Sequence, residues 1–331
     1  MIEPLDNLPS PVKAPPKELT NLNPDISYTD LERSFPEVIA MKGYDQRAPL
    51  HYLPLDQHTQ EVDKQLSNDR NIQLLNPRER IMLSLAAKLH DIGKPNTATE
   101  NPKKPGFNNY IGHEIESARI TKDILTQFTL TEIERRWIVD IVRLHSASLN
   151  LTNAFSQNEE PKGKQMGAYE KFIAEIEQMP GSETQTGLEQ NLHIMIAFTR
   201  ADIHALANDQ VRTERNQVAQ EIDTQVNFLY HLESALPAIL HAVELRKKGI
   251  QNAGIVKKDN SYEAVYEEMP GTRFDMKSVS VFFNKNSLPI KYLKVVAGGS
   301  NISQIIENLR NSEMSKEQVE IVKKHLEEIS K

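Results

Sequence analysis

The chain has 331 residues, no cysteine, and a net charge of −7 from 39 basic and 46 acidic side chains. Without cysteine there is no disulfide, no thiolate metal site and no cysteine nucleophile, which fits a cytoplasmic protein. The acidic balance argues against broad electrostatic binding to nucleic acid.

The first residues, Met1-Ile2-Glu3-Pro4-Leu5-Asp6, lack the basic-then-apolar layout of a secretory signal. No apolar run approaches the ~20 residues that a membrane helix needs. Residues 1–28 hold Pro4, Pro9, Pro11, Pro15, Pro16 and Pro24 with little periodicity and read as a flexible tail. From Leu31 the composition turns globular. Leu55 to about Leu66 reads as a helix with His58 and Val62 one turn apart.

The next helix is the best marked. Asn76 can cap it, Pro77 suits its first turn, and Glu79 stands where a capping-box acid belongs. Ile81, Met82, Leu85, Ala86 and Leu89 form a core-facing stripe. Gly93 is expected to end it in the left-handed conformation, and Pro95 to stop continuation. His90 and Asp91 then lie at a defined helix end, an imidazole beside a carboxylate, a pair that suits a divalent transition metal. The plainer reading of that dipeptide is a core histidine beside a solvated aspartate.

A polar loop, Asn96 to Tyr110, leads to a helix opened by Gly112-His113-Glu114, where Gly112 would let the backbone approach a site. Thr131 with Glu134 is a second capping box, and Ile138, Ile141 and Val142 lead along its helix to His145. Residues 146–190 are irregular except for a helical piece near Tyr169 to Ile176. A helix from about Leu188 to Leu206 carries Asp202, and another runs from about Arg212 to Lys248, kinked or broken near Pro237. Residues 278–283 and 292–296 read as strands, and Ile302–Leu309 and Ser315–Ile329 as closing helices.

The fold class is therefore mainly α, with a small C-terminal extension that is α+β or helical. Boundaries are expected at 1–28 for the tail, 29–249 for a helical domain and 250–331 for a region of unassigned role. His58, His90, Asp91, His113, His145 and Asp202 each fall in or at the end of an expected helix. Ionisable groups on core-facing stripes are costly unless paired or bound to metal, and six in succession point to a site.

The order His58, His90-Asp91, Asp202 resembles the H…HD…D signature of the HD superfamily of metal-dependent phosphohydrolases. The likeness extends to Phe35-Pro36-Glu37 through Pro49-Leu50-His51-Tyr52, to Asp56-Gln57-His58-Thr59, and to Leu89 through Pro95. With Gly112-His113-Glu114 and Arg200-Ala201-Asp202-Ile203 it resembles the HD domain of bacterial multifunctional tRNA nucleotidyltransferases. Those proteins carry a nucleotidyltransferase head, where this chain has the Pro-rich tail, so CCA addition is not expected.

The resemblance implies His58, His90, Asp91 and Asp202 as metal ligands, and His113 and His145 as ligands of a second ion with Asp91 bridging. If there is one ion instead, His113 and His145 bind substrate. Asp91 and Lys94 are the implied catalytic residues, Lys94 beside the substrate phosphate. His51 matches a family histidine of unassigned role. Arg119, Arg143 and Arg200 are read as salt-bridging residues ahead of phosphate contacts.

The donor set suits Mn, Ni, Fe, Co, Mg or Zn, one or two ions per chain. The expected activity is hydrolysis of phosphoesters of nucleotides or RNA ends, of the 2′,3′-cyclic phosphodiesterase or phosphatase type, by metal-activated water. The alternative is a non-catalytic metal- or nucleotide-binding regulatory module with a C-terminal partner-binding region. The expected partner is a nucleotide or RNA-terminal phosphate substrate, without a membrane and without strong nucleic-acid binding; self-association is left open.

Overall fold

The computed structural model describes residues 21–48, 51–148, 151, 164–248, 250, 253–258, 261–266, 276–286, 288–289, 292–297 and 302–329. They are dominated by helices. The chain divides into two compact units, Met1–Thr152 with Phe172–Tyr230, and Asn153–Lys171 with His231–Lys331.

The first unit begins with α1 (Tyr28–Ser34), α2 (Pro36–Ile39), α3 (Leu55–Asn68), α4 (Arg70–Gln73) and α5 (Pro77–Leu89). A one-turn α6 (Lys94–Thr97) and the two-residue strands β1 (Thr99–Glu100) and β2 (Asn108–Asn109) precede α7 (His113–Leu125) and α8 (Glu132–Leu144). Beyond α9 (Lys164–Ile176) come α10 (Gln185–His204), α11 (Asp209–Glu214) and the long α12 (Asn216–Lys247). The bundle packs α3 against α5 and α10, α5 against α8, and α7 against α6 and α8. At its centre Leu55, Val62, Leu85, Ala86, Leu89, Ile138 and Ile141 are fully shielded from solvent.

Both expected capping boxes form: Asn76 with Glu79 opens α5, and Thr131 with Glu134 opens α8. Helix α5 is buried on nearly every side, so its position is fixed by packing before its last residue delivers the His90-Asp91 pair.

Gly93 does not take the left-handed form. Its φ of −82° and ψ of −11° lead straight into α6, with Pro95 inside that turn. The glycine is required for another reason. A Cβ there would stand 2.5 Å from the Ser117 backbone nitrogen and 2.9 Å from the His113 carbonyl oxygen. Gly112 shows the opposite correction. Its surroundings are open, and its φ of 80° is what calls for glycine.

Three further expectations change. Residues 21–28, expected within the flexible tail, are anchored: Leu22 donates its N–H to Gln127 and accepts one from Thr129, at 2.8 and 2.9 Å, and Tyr28 is buried. Residues 1–20, where five of the tail's prolines lie, fall outside the described residues. Helix α12 continues through Pro237 rather than breaking there, and α11 is a separate helix before it.

The domain boundary at 249 also moves: the division falls within α12, and residues 153–171 go with the second unit. Its buried stripe, from Leu229 and Leu232 to Ile239, Ala242 and Val243, runs unbroken across the division, so no composition shift marks it.

In the second unit, strands β3 (Ala253–Lys258) and β4 (Ser261–Tyr266) pair antiparallel, ending at Lys258 opposite Ser261. The expected strands at 278–283 and 292–296 are instead helices, α13 (Met276–Lys285) and α14 (Leu293–Ala297). Val279, Phe282 and Phe283 are spaced for one helical face; Val279 and Phe283 are buried with Val296, Ile305, Leu309 and Leu326. Helices α15 (Ile302–Arg310) and α16 (Lys316–Ile329) close the chain.

Gly93→Ala should force α6 and α7 apart and cost about 1–3 kcal/mol, read from the urea midpoint of unfolding. A second test concerns pH. The guanidinium of Arg78 draws the Glu134 carboxyl down from 4.5 to about 2. That pairing stabilises the fold above the ordinary carboxylate range and is lost as pH falls through the native value. Glu134→Gln should therefore lower stability at neutral pH and flatten its decline between pH 4.5 and about 2.

Candidate metal centre

Six side chains meet in the first unit, each from within a turn or so of a helix end. His58 lies in the first turns of α3, His90 caps the end of α5, and Asp91 follows it. His113 is the first residue of α7, His145 caps the end of α8, and Asp202 sits near the end of α10.

Helix ends leave backbone carbonyls without an intrahelical partner. Three of these histidines bond to the carbonyl three residues before them. His90 Nδ1 lies 2.8 Å from Ala87 O, His113 Nδ1 2.7 Å from Tyr110 O, and His145 Nδ1 2.7 Å from Val142 O. His58 Nδ1 uses the carbonyl of Ala205, at the end of α10, at 3.0 Å. A carbonyl only accepts, so each Nδ1 carries a proton, and each Nε2 presents a lone pair whenever its ring is neutral.

All four Nε2 atoms face carboxylate oxygens. His58 Nε2 is 2.9 Å from Asp202 Oδ1 and 3.5 Å from Asp91 Oδ2. His90 Nε2 is 3.2 Å from Asp91 Oδ2 and 3.7 Å from Asp202 Oδ1. On the other side of Asp91, Oδ1 is 3.3 Å from His113 Nε2 and 3.6 Å from His145 Nε2. The two oxygens of Asp91 thus serve two different histidine pairs.

Lone pairs facing lone pairs repel unless something positive lies between them. His58 Nε2, His90 Nε2 and Asp91 Oδ1 are buried and make no hydrogen bond. Protons or cations can fill that role. Burial lowers the proton affinity of His90, but Asp91 and Asp202 more than offset it and raise its pKa to about 10. Burial and the nearby His90 push His145 down to about 4. Despite burial, Lys94 and His90 hold Asp91 well below the usual carboxylate range, and His58 and His90 do the same for Asp202.

The spacing suits cations as well. Ligands ~2.1 Å from one ion stand about 3.0–3.4 Å from each other, close to the distances seen here. Three sets of side chains could each hold an ion: His58, His90 and Asp91; His90, His145 and Asp202; and Asp91, His113 and His145. With imidazole and carboxylate donors only, the centre fits a divalent ion.

The sequence-derived ligand residues all converge. Lys94 is also here, but buried: its Nζ lies 2.6 Å from Asp91 Oδ2 and 2.8 Å from Gln46 Oε1. The His51 ring lies 5.9 Å from that of His58. The arginines are occupied elsewhere: Arg119 with Glu116 and Asp123, Arg143 with Asp140 and Glu175, and Arg200 with Asp69 at 2.5 Å and over the Tyr230 ring.

Sequence reasoning missed the supporting residues. Gln46 is 1% exposed and bonds to Lys94, and Tyr110 bonds through its carbonyl to His113. Thr199 donates to the His145 carbonyl at 2.9 Å. Ser146 fixes Glu114 at 2.7 Å, and Glu114 in turn lies 3.4 Å from His113 Nδ1. No local pattern marks such residues; the available signal was a polar side chain on a stripe that should be buried, as at Thr199.

Comparison with known proteins agrees with this geometry. Among curated proteins the chain is similar to the A-adding tRNA nucleotidyltransferase of Deinococcus radiodurans, 29% identical over 124 residues. The match covers 38% of this chain and 27% of that protein, so the chain spans about a quarter of its relative's length. Residues 58–178, which hold five of the six converging residues and not Asp202, match the family model of the HD domain.

Proposed function

We propose that this protein is a metal-dependent phosphohydrolase acting on phosphoesters of nucleotides or RNA ends, of the cyclic phosphodiesterase or phosphatase type. One observation carries the reading: imidazole nitrogens from four helix ends converge on Asp91, and Asp91 divides its oxygens between two histidine pairs. His58, His90, Asp91 and Asp202 would hold one divalent ion, and Asp91, His113 and His145 a second. Such ions supply hydroxide near neutral pH and offset charge developing on phosphoryl oxygens.

The protein's own residues do the rest. The Nδ1–carbonyl bonds orient the imidazoles, and the packed helix ends keep bulk water from the buried side. The side chains of His113 and Asp202 are the more exposed ligands, at 15% and 14%, and mark the side from which substrate enters. Lys94 places an ammonium beside Asp91, where it meets a phosphate oxygen. No helix among the described residues is long and apolar enough to cross a membrane, and the cytoplasm is the proposed location.

The test pairs metal analysis with a panel of phosphomonoesters and 2′,3′-cyclic nucleotides, each assayed with Mn, Ni, Co, Mg and Zn. Asp91→Ala should abolish turnover and metal uptake while the far-ultraviolet circular dichroism stays native. Metal content should approach two ions per chain and fall to about one in His113→Ala or His145→Ala. A wild type saturating at one Mn ion, with both variants retaining it but losing substrate affinity, would make these histidines phosphate ligands. A protein that takes up metal yet turns over no member of the panel would favour the non-catalytic reading.

A further inference from the structure

The turn Asp45-Gln46-Arg47 holds a strained residue. Arg47 has a φ of 44°, a left-handed conformation that strains a residue with a side chain. The turn is tied down on both sides. Arg47 N–H donates to Asp45 Oδ1 at 3.0 Å, and the Arg47 carbonyl accepts from the N–H of Asn108 in β2 at 2.7 Å.

The turn buries Gln46 and leaves the Arg47 side chain 63% exposed. The Gln46 amide is used at both ends: Nε2 donates to Leu53 O at 3.2 Å, and Oε1 accepts from Lys94 Nζ at 2.8 Å. Each partner can play only one role, so the orientation of the amide is fixed by chemistry. Tyr110 braces the arrangement. Its hydroxyl donates to the Gln46 carbonyl, its ring lies 5.6 Å from Lys94 Nζ, and its own carbonyl holds His113.

Lys94 has three N–H donors. Gln46 Oε1 takes one as a hydrogen bond, and Asp91 Oδ2 forms an ion pair with the ammonium at 2.6 Å. No further protein acceptor for the ammonium lies among the described residues. We propose that Gln46, braced by Tyr110, is a positioning residue that holds the Lys94 ammonium over Asp91 with one N–H kept for a phosphoryl oxygen. The proposal rests on the phosphohydrolase reading for the identity of that ligand. Without the Gln46 amide, the ammonium has Asp91 as its remaining anchor and loses its fixed direction.

The experiment titrates inorganic phosphate into the Mn-loaded full chain by calorimetry. Gln46→Leu should weaken phosphate binding about tenfold, the worth of one charge-assisted hydrogen bond. Lys94→Met should weaken it at least as much, and the double variant should be no weaker than Lys94→Met alone. Mn affinity of Gln46→Leu should stay within about twofold of wild type. Tyr110→Phe, which removes only the bracing hydroxyl, should weaken phosphate binding in the same direction and covers the case of a misfolded Gln46→Leu.

Unchanged phosphate affinity in the folded variants, or losses that add in full in the double variant, would overturn the proposal. A wild type that binds Mn but no phosphate sinks the phosphohydrolase reading instead. The positioning role is then read from the Lys94 ¹⁵Nζ resonance: it shifts and broadens in Gln46→Leu or Tyr110→Phe if these residues fix the ammonium, and an unmoved resonance overturns the role.

Discussion

The centre depends on one repeated interaction, an imidazole Nδ1–H given to a backbone carbonyl, which lies at a helix C-terminus for His58, His90 and His145 and just ahead of α7 for His113. It solves two problems together. The helix terminus needs a donor for its unused carbonyl, and the imidazole needs a fixed ring orientation and tautomer. Because Nδ1 is committed, Nε2 is left as an acceptor, and four such acceptors around Asp91 and Asp202 make a place for positive charge. The helices thus define much of the chemistry through their ends.

The same logic explains the packing behind the centre. Helix α5 is shielded nearly all round, and its C-terminus cannot drift without opening the core at Leu85, Ala86 and Leu89. Gly93 then lets the chain pass against α7 closely enough for its N–H to reach Ser117 Oγ at 2.9 Å. Position is therefore passed from the hydrophobic core towards the centre through the buried end of α5 and the close crossing at Gly93.

Local signals made much of this legible from the sequence. The capping boxes at Asn76 and Thr131, and the paired bonds of Ser315 and Gln318, depend on residues three apart and could be read directly. The ligand residues stood out because ionisable side chains on buried stripes are expensive. What failed was tertiary. Gly93 had the local look of a helix terminator, and its true constraint comes from α7. The hairpin of β3 and β4 was missed, while the partial alternation at 278–283 concealed a helix whose apolar residues recur at three and four. Gln46 and Tyr110 carry no periodic pattern at all, since their partners lie far off in sequence.

The six converging side chains are drawn from His58 through Asp202, and no two neighbouring in sequence, save His90 and Asp91, belong to the same helix end. An ion held by them would be a cross-link that closes several long loops of chain at once. The unfolded chain cannot reproduce that arrangement, so the ion's binding energy is added to the stability of the first unit and grows with the logarithm of free metal. Among the described residues, the second unit contributes none of these side chains. Metal supply would then tune the lifetime of the first unit against proteolysis, making the ion a structural clamp as well as a chemical one.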